Sequence, residues 1–209
     1  MRLSLRTRTI LYISSSILFF GVVAIISVFL FARTTLFENS QKDLELLVYE
    51  KSHELSRVFT NSTRLVESIA EEQFLVDYLE QEDEREYQNE HILEHFDRSN
   101  FEGVYESIYL MGQTGEVYVS TDPTFVGNNY AFRPYFREAM EGDLSIYVAR
   151  GVTSGRLGYY FSHPIYHDTK IVGVVVAKLN PQLVGDYLAF GETGRDFDVM
   201  LTDKNGVIV

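Results

Sequence analysis

The sequence predicts an α+β sheet domain carried outside a membrane on one long helix, and three observations predict it. Residues Ile10 to Ala32 contain no charged side chain; as a helix rising about 1.5 Å per residue they reach the roughly 30 Å of a bilayer's hydrocarbon core. Thirteen of the 14 glycines and all four prolines lie after residue 102, so the interval 33–102 holds nothing to break a helix. Beyond residue 102, β-branched and aromatic runs alternate with glycine turns, which is the pattern of strands.

The N-terminal elements follow in order. Arg2, Arg6 and Arg8 precede the apolar run, and the positive-inside rule places residues 1–9 in the cytoplasm and residues 10–32 across the membrane. A cleaved signal peptide would have a shorter apolar region, about 7 to 15 residues, ending in small residues; VFLFARTT offers no such site. Residues 33–102 read as a helical stalk with a flanking helix. Leu44, Leu47, Leu55, Val58, Leu65 and Ile69 form one apolar stripe, interrupted by Lys51 and Ser62, so a perfect coiled coil is not expected. Residues 71–97 are acid-rich, a solvated helical face around a loop near residues 81–86. Within them, HILEH at 91–95 matches the H-x-x-E-H pattern of one class of zinc peptidases but lacks an evident third ligand, and no metal or other cofactor is expected.

Residues 103–190 form the sheet domain. SIYLM, the turn GQTG and EVYVS read as a hairpin; TDPTFVGNN is loop; PYFREAME is a short helix with Pro134 in its first turn and Gly142 past its end. SIYVARG, GYYFSHPI and IVGVVVAKL are three further strands, and Asn180 caps a helix PQLVGDYL. LTDKNGVIV at 201–209 echoes LMGQTGEVY at 110–118, so residues 191–209 read as the start of a second module that continues beyond this sequence.

Charge excludes one class of partner. The chain has a formal net charge of −12, and beyond residue 33 there are 14 basic against 30 acidic side chains, a surface that repels nucleic acid. Against that background Arg133 stands out, set among Tyr130, Phe132, Tyr135 and Phe136. Its planar fork of donors suits a carboxylate held bidentately. Lys178 shares one face of its strand with Val174 and Val176 if the strand alternates, and two separated cations suit a dianion. Tyr130, Tyr135 and Tyr160 can add hydroxyl donors and ring walls, and Thr153 lies in a glycine-flanked turn. The bland reading pairs Arg133 with an internal acid, leaves Phe132 and Phe136 as plain core and Lys178 solvated. No residue set suggests catalysis, and the chain is not expected to be an enzyme.

The order of membrane anchor, long helix, hairpin, VGNNYAFRPYF, GVTSGRLGYYFSHPI and VVVAK resembles the extracytoplasmic tandem-Cache, or double PAS-like, sensor domains of bacterial signalling receptors. It most resembles those of C4-dicarboxylate sensor histidine kinases. The resemblance implies an antiparallel Cache fold with a membrane-distal module at 103–190 that binds a small organic acid, a dicarboxylate or a related carboxylate. Tyr130, Arg133, Thr153 and Lys178 match the family's contact positions. Val152 stands where many relatives have a hydroxyl residue. The resemblance further implies a homodimer through the long N-terminal helix, a periplasmic sensor on a bacterial inner membrane, and a kinase, diguanylate cyclase or chemotaxis output. The alternative is a membrane-anchored structural or protein-partner-binding module without a small-molecule ligand.

Overall fold

The computed structural model describes residues 5–81, 85–151, 155, 157–188, 201 and 202. It divides into two units, Met1–Ser52 and His53–Val209. The first belongs to helix α1 (Leu5–Ala70). Its apolar side chains from Ile10 to Leu36 are exposed, Ile10 at 64% and Phe31 at 74%. The helix is long and apolar enough to cross a membrane, its most apolar 18-residue stretch having a mean hydropathy of 2.5.

The second unit contains the last turns of α1, helices α2 (Gln73–Glu80) and α3 (Arg85–Ser99), and a five-stranded sheet. Its strands are β1 (Tyr105–Gly112), β2 (Val117–Ser120), β3 (Ser145–Arg150), β4 (Leu157–His167) and β5 (Lys170–Leu179), in the order β2-β1-β5-β4-β3 and antiparallel throughout. Helix α4 (Pro134–Met140) lies between β2 and β3, and α5 (Pro181–Leu188) follows β5. Both sit where the sequence places them. Pro134 opens α4, and Gly142 closes it at φ +99°, a left-handed conformation that costs glycine nothing. The backbone N–H of Gln182 donates to Asn180 Oδ1 at 3.0 Å, the expected cap of α5.

The helical interval departs from expectation in one place. Besides the segment at 82–84, which lies outside the described residues, the chain leaves the helix at Glu71 and Glu72, where neither glycine nor proline stands. Glu72 is extended (φ −73°, ψ 118°). The break re-aims the chain so that α2 buries Leu75, Val76, Tyr78 and Leu79. Burying one such side chain is worth about 1.5–3 kcal/mol, against a few tenths per residue for helix propensity, so packing wins.

Strand alternation divides the core in two. On one face of the sheet, Ile108, Leu110, Phe161, Val175 and Ala177 pack with Leu55, Val66 and Ile69 of α1 and with Leu75, Ile92 and Phe96. Phe59 of α1 meets the rings of Tyr159 and Phe161 at 5.7 and 5.4 Å. The other face carries Tyr109, Met111, Tyr160, Val174 and Val176 against Tyr135, Phe136 and Ala139 of α4. The polar interruption of the stripe is a docking point: Ser62, fully buried, donates to the Val58 carbonyl at 2.9 Å and accepts from the Tyr105 hydroxyl at 3.0 Å.

Candidate functional site

The α4 face of the sheet presents its side chains in rows. Residues paired directly across antiparallel strands point to the same side, and the register pairs Ser107 with Lys178, Lys178 with Tyr160, and Tyr160 with Tyr147. The neighbouring row runs through Ser120, Tyr109, Val176, Ser162 and Ser145. Lys178 therefore shares its face with Val174 and Val176, as its alternation predicts, but it is neither solvated nor lacking a counter-ion. It is 1% exposed, and its Nζ lies 2.6 Å from Glu106 Oε2. The ammonium also stands 5.7 Å from the Phe125 ring centroid and 6.0 Å from that of Tyr160, within reach of cation–π attraction. Space for the lysine stem comes from Gly158, where an added Cβ would fall 2.9 Å from Lys178 Cε.

The loop before α4 is fixed to the β1–β2 hairpin. Val117 N–H donates to the Asn128 carbonyl at 2.9 Å and Tyr130 N–H to the Gly115 carbonyl at 2.8 Å. Gly115 sits at φ +82° with its missing Cβ 2.6 Å from the Ala131 backbone, so the close approach requires glycine. A turn from Tyr130 to Arg133, closed by an N–H to carbonyl bond of 2.9 Å, leads into α4. The helix is held in turn by Ser162, whose hydroxyl donates to the Tyr135 carbonyl at 2.8 Å.

Aromatic rings fill the space between. Tyr135 stacks on Tyr160 at 5.0 Å and 9°, Tyr109 stacks on Phe125 at 5.1 Å, and Tyr130 leans on both Tyr109 and Phe125. The Tyr109 hydroxyl donates to that of Tyr135 at 3.0 Å. Burial pushes the Tyr109 and Tyr135 phenols well above the ordinary range. It carries Tyr160 up to about 12, with Arg133 opposing the rise and Glu106 adding to it. All three are neutral hydroxyls at physiological pH, able to donate and accept.

Arg133 occupies the rim. It is partly buried, its Nη2 donates to the Arg150 carbonyl at 3.2 Å, and its Cζ lies 5.2 Å from the exposed Phe132 ring. Among the described residues no carboxylate pairs with it, contrary to the bland reading of its charge. Phe136 is core and Phe132 is not: the one is 5% and the other 57% exposed. Five of the six residues singled out from the sequence, Tyr130, Arg133, Tyr135, Tyr160 and Lys178, thus converge on one aromatic cluster; Thr153 lies outside the described residues. Sequence reasoning missed Glu106 and Ser107. The register slips between Tyr105 and Ser107, a bulge that period-two alternation cannot reveal. The Ser107 hydroxyl is buried opposite Lys178 with no hydrogen-bond partner among the described residues.

Two other features resolve differently. His91 and His95 of the HILEH segment pack edge-on against Phe74, at 5.0 and 5.1 Å between ring centroids. A groove of about 380 Å³ lies beside α2, lined by Leu79, Glu80, Gly112, Gln113, Thr114, Tyr118, Lys170 and Val172. It contains none of the residues of the aromatic cluster, and it lacks that cluster's buried cation. The expected second module, at 191–209, lies outside the described residues apart from Leu201 and Thr202.

A Cache domain family model matches residues 32–209. Two proteins named C4-dicarboxylate transport sensor protein DctB are similar in sequence. The one from Pseudomonas aeruginosa is 40% identical over 77 residues, covering 35% of this chain and 13% of that protein. The one from Rhizobium meliloti is 36% identical over 107 residues, covering 49% and 16%. The matched segments thus span less than a fifth of those curated relatives. Among solved structures, the sensor domain of the V. cholerae histidine kinase DctB is 25% identical with a TM-score of 0.63, covering 70% of this chain and 58% of that one. The sensory domain of the Campylobacter jejuni chemoreceptor Tlp3, solved with isoleucine bound, shares the fold at 19% identity and a TM-score of 0.62, covering 84% and 71%.

Proposed function

Because the chain belongs to the Cache domain family, we propose that it is the ligand-sensing input region of a membrane-bound bacterial signalling receptor and binds a small organic acid at the aromatic cluster below α4. The observation that carries this reading is Arg133: a guanidinium at the rim of a buried, ring-lined site, with no carboxylate partner among the described residues. A ligand carboxylate supplies the missing partner bidentately. Tyr130, Tyr135 and Tyr160 wall the ligand, Lys178 closes the inner end, and the Ser107 hydroxyl gains a partner it lacks among the described residues. Thr153, which lies outside the described residues, is the sixth residue of the proposed site.

In this reading residues 1–9 are cytoplasmic, 10–32 span the inner membrane, 33–102 form the stalk and its flanking helices, 103–190 the periplasmic ligand-binding module, and 191–209 begin a membrane-proximal one. Two copies associate through α1. The output domain, a histidine kinase or a diguanylate cyclase, belongs to the remainder of the receptor. Ligand binding shifts a two-state equilibrium by its differential affinity for the two states, and the contact of α1 with the sheet relays the shift.

A thermal-shift screen of the chain in detergent micelles against carboxylates, amino acids and amines tests the proposal. A ligand at 100 times its dissociation constant stabilises by about 2.7 kcal/mol, and that gain should vanish in Arg133→Ala. A folded protein that no carboxylate stabilises would contradict the proposal.

A further inference from the structure

We propose that Glu106 is the specificity-determining residue of this site, setting its charge so that it selects ligands with one carboxylate over dicarboxylates. The inference rests on the reading that Arg133 receives a ligand carboxylate, and it deepens that reading by naming the charge the ligand brings.

Three ionised side chains face Tyr160 among the described residues: Arg133, Glu106 and Lys178. Lys178 and Glu106 cancel, with 2.6 Å between Nζ and Oε2 and the ammonium 1% exposed. Arg150, whose carbonyl meets Arg133, turns its own guanidinium to the Gly155 carbonyl at 3.0 Å. Among the described residues the inner end of the site therefore carries no net charge, and the cations without a carboxylate partner, Arg133 and Arg150, lie at the rim. A single carboxylate pairs with Arg133. A dicarboxylate of the same length brings a second negative charge to the neutral inner end, which is costly in a buried place, and that carboxylate reaches Lys178 only by crowding Glu106.

Glu106 is poorly placed to step aside. Tyr105 pairs with Leu179 and Ser107 with Lys178, so Glu106 is the extra residue of the bulge and its backbone is fixed on both sides. An amide or ammonium at that end of the ligand meets a carboxylate able to accept its hydrogen bonds, and an ammonium also meets the faces of Phe125 and Tyr160. The preference is thus for a ligand whose far end is neutral or cationic.

The test titrates the chain in detergent micelles with succinate and with succinamate, the same skeleton with one carboxylate replaced by an amide. The wild type should bind succinamate at least about tenfold more tightly, since juxtaposed like charges cost several kcal/mol. Glu106→Gln should move the affinity ratio at least about tenfold toward succinate. The double variant Glu106→Gln with Lys178→Met, which makes the inner end neutral again, should return the preference to succinamate. A wild type that prefers succinate, or a ratio unmoved by Glu106→Gln while binding still depends on Arg133, overturns the role of Glu106 alone. No binding of either compound, or binding that survives Arg133→Ala, overturns the underlying site and this inference with it.

Discussion

The Tyr105 hydroxyl donates to Ser62 Oγ at 3.0 Å, joining the first residue of β1 to helix α1 inside the core. Tyr105 is also the residue before Glu106, so the charged pair at the inner end of the site lies one peptide from the tie to the helix.

The tie predicts an asymmetry between two conservative substitutions. Tyr105→Phe leaves Ser62 bonded to the Val58 carbonyl and should cost about 1 kcal/mol. Ser62→Ala leaves the Tyr105 hydroxyl buried without a partner and should cost more, about 1–3 kcal/mol. Urea unfolding of both variants checks the order; equal losses would mean that the bond is not the stabilising element.

Gly158 should be a ligand-binding position although it has no side chain. An alanine Cβ there meets Lys178 Cε at 2.9 Å and Tyr160 Cε2 at 3.0 Å, and the flexible lysine gives way first. Gly158→Ala is expected to weaken carboxylate binding with little loss of melting temperature. Gly115→Ala is expected to do the opposite kind of damage. Its φ of +82° and the Ala131 backbone 2.6 Å away make it destabilising by at least about 1–2 kcal/mol, measured by urea unfolding.

These positions also mark what was legible in the sequence. Helices α4 and α5 were, because proline and a cap or a terminal glycine bracket each. So was the face of Lys178, because period-two alternation survives along β5. The break at Glu71 and Glu72 was not, since no local residue encodes it; it follows from burial of Leu75 and Leu79 on a sheet that forms later in the chain. Glu106 was hidden by the bulge. Ser62 was visible only as a flaw in the apolar stripe, and its role appears once Tyr105 is placed beside it.

Two histidines should titrate in opposite directions. His167 is raised above its ordinary value of 6.5 by a hydrogen bond and then by the charge of Glu80. Its contribution to stability is present in full below pH 6.5 and is lost as pH rises through the folded-state value. His95 is lowered, chiefly by desolvation, against the opposing charge of Glu72. Its contribution is present above pH 6.5 and is lost as pH falls through the depressed value. NMR titration of the histidine resonances checks both, and Glu80→Gln should return His167 toward 6.5 while leaving His95 unchanged.

The central claim is that Arg133 receives a ligand carboxylate. The most direct test is the equilibrium dissociation constant of the most strongly stabilising carboxylate for the wild type and for Arg133→Ala, measured by calorimetry on folded protein. Loss of a buried, charge-assisted pair costs about 2–5 kcal/mol, so the variant should bind at least about thirtyfold more weakly. Equal affinities in the two proteins would place the ligand elsewhere and contradict the account.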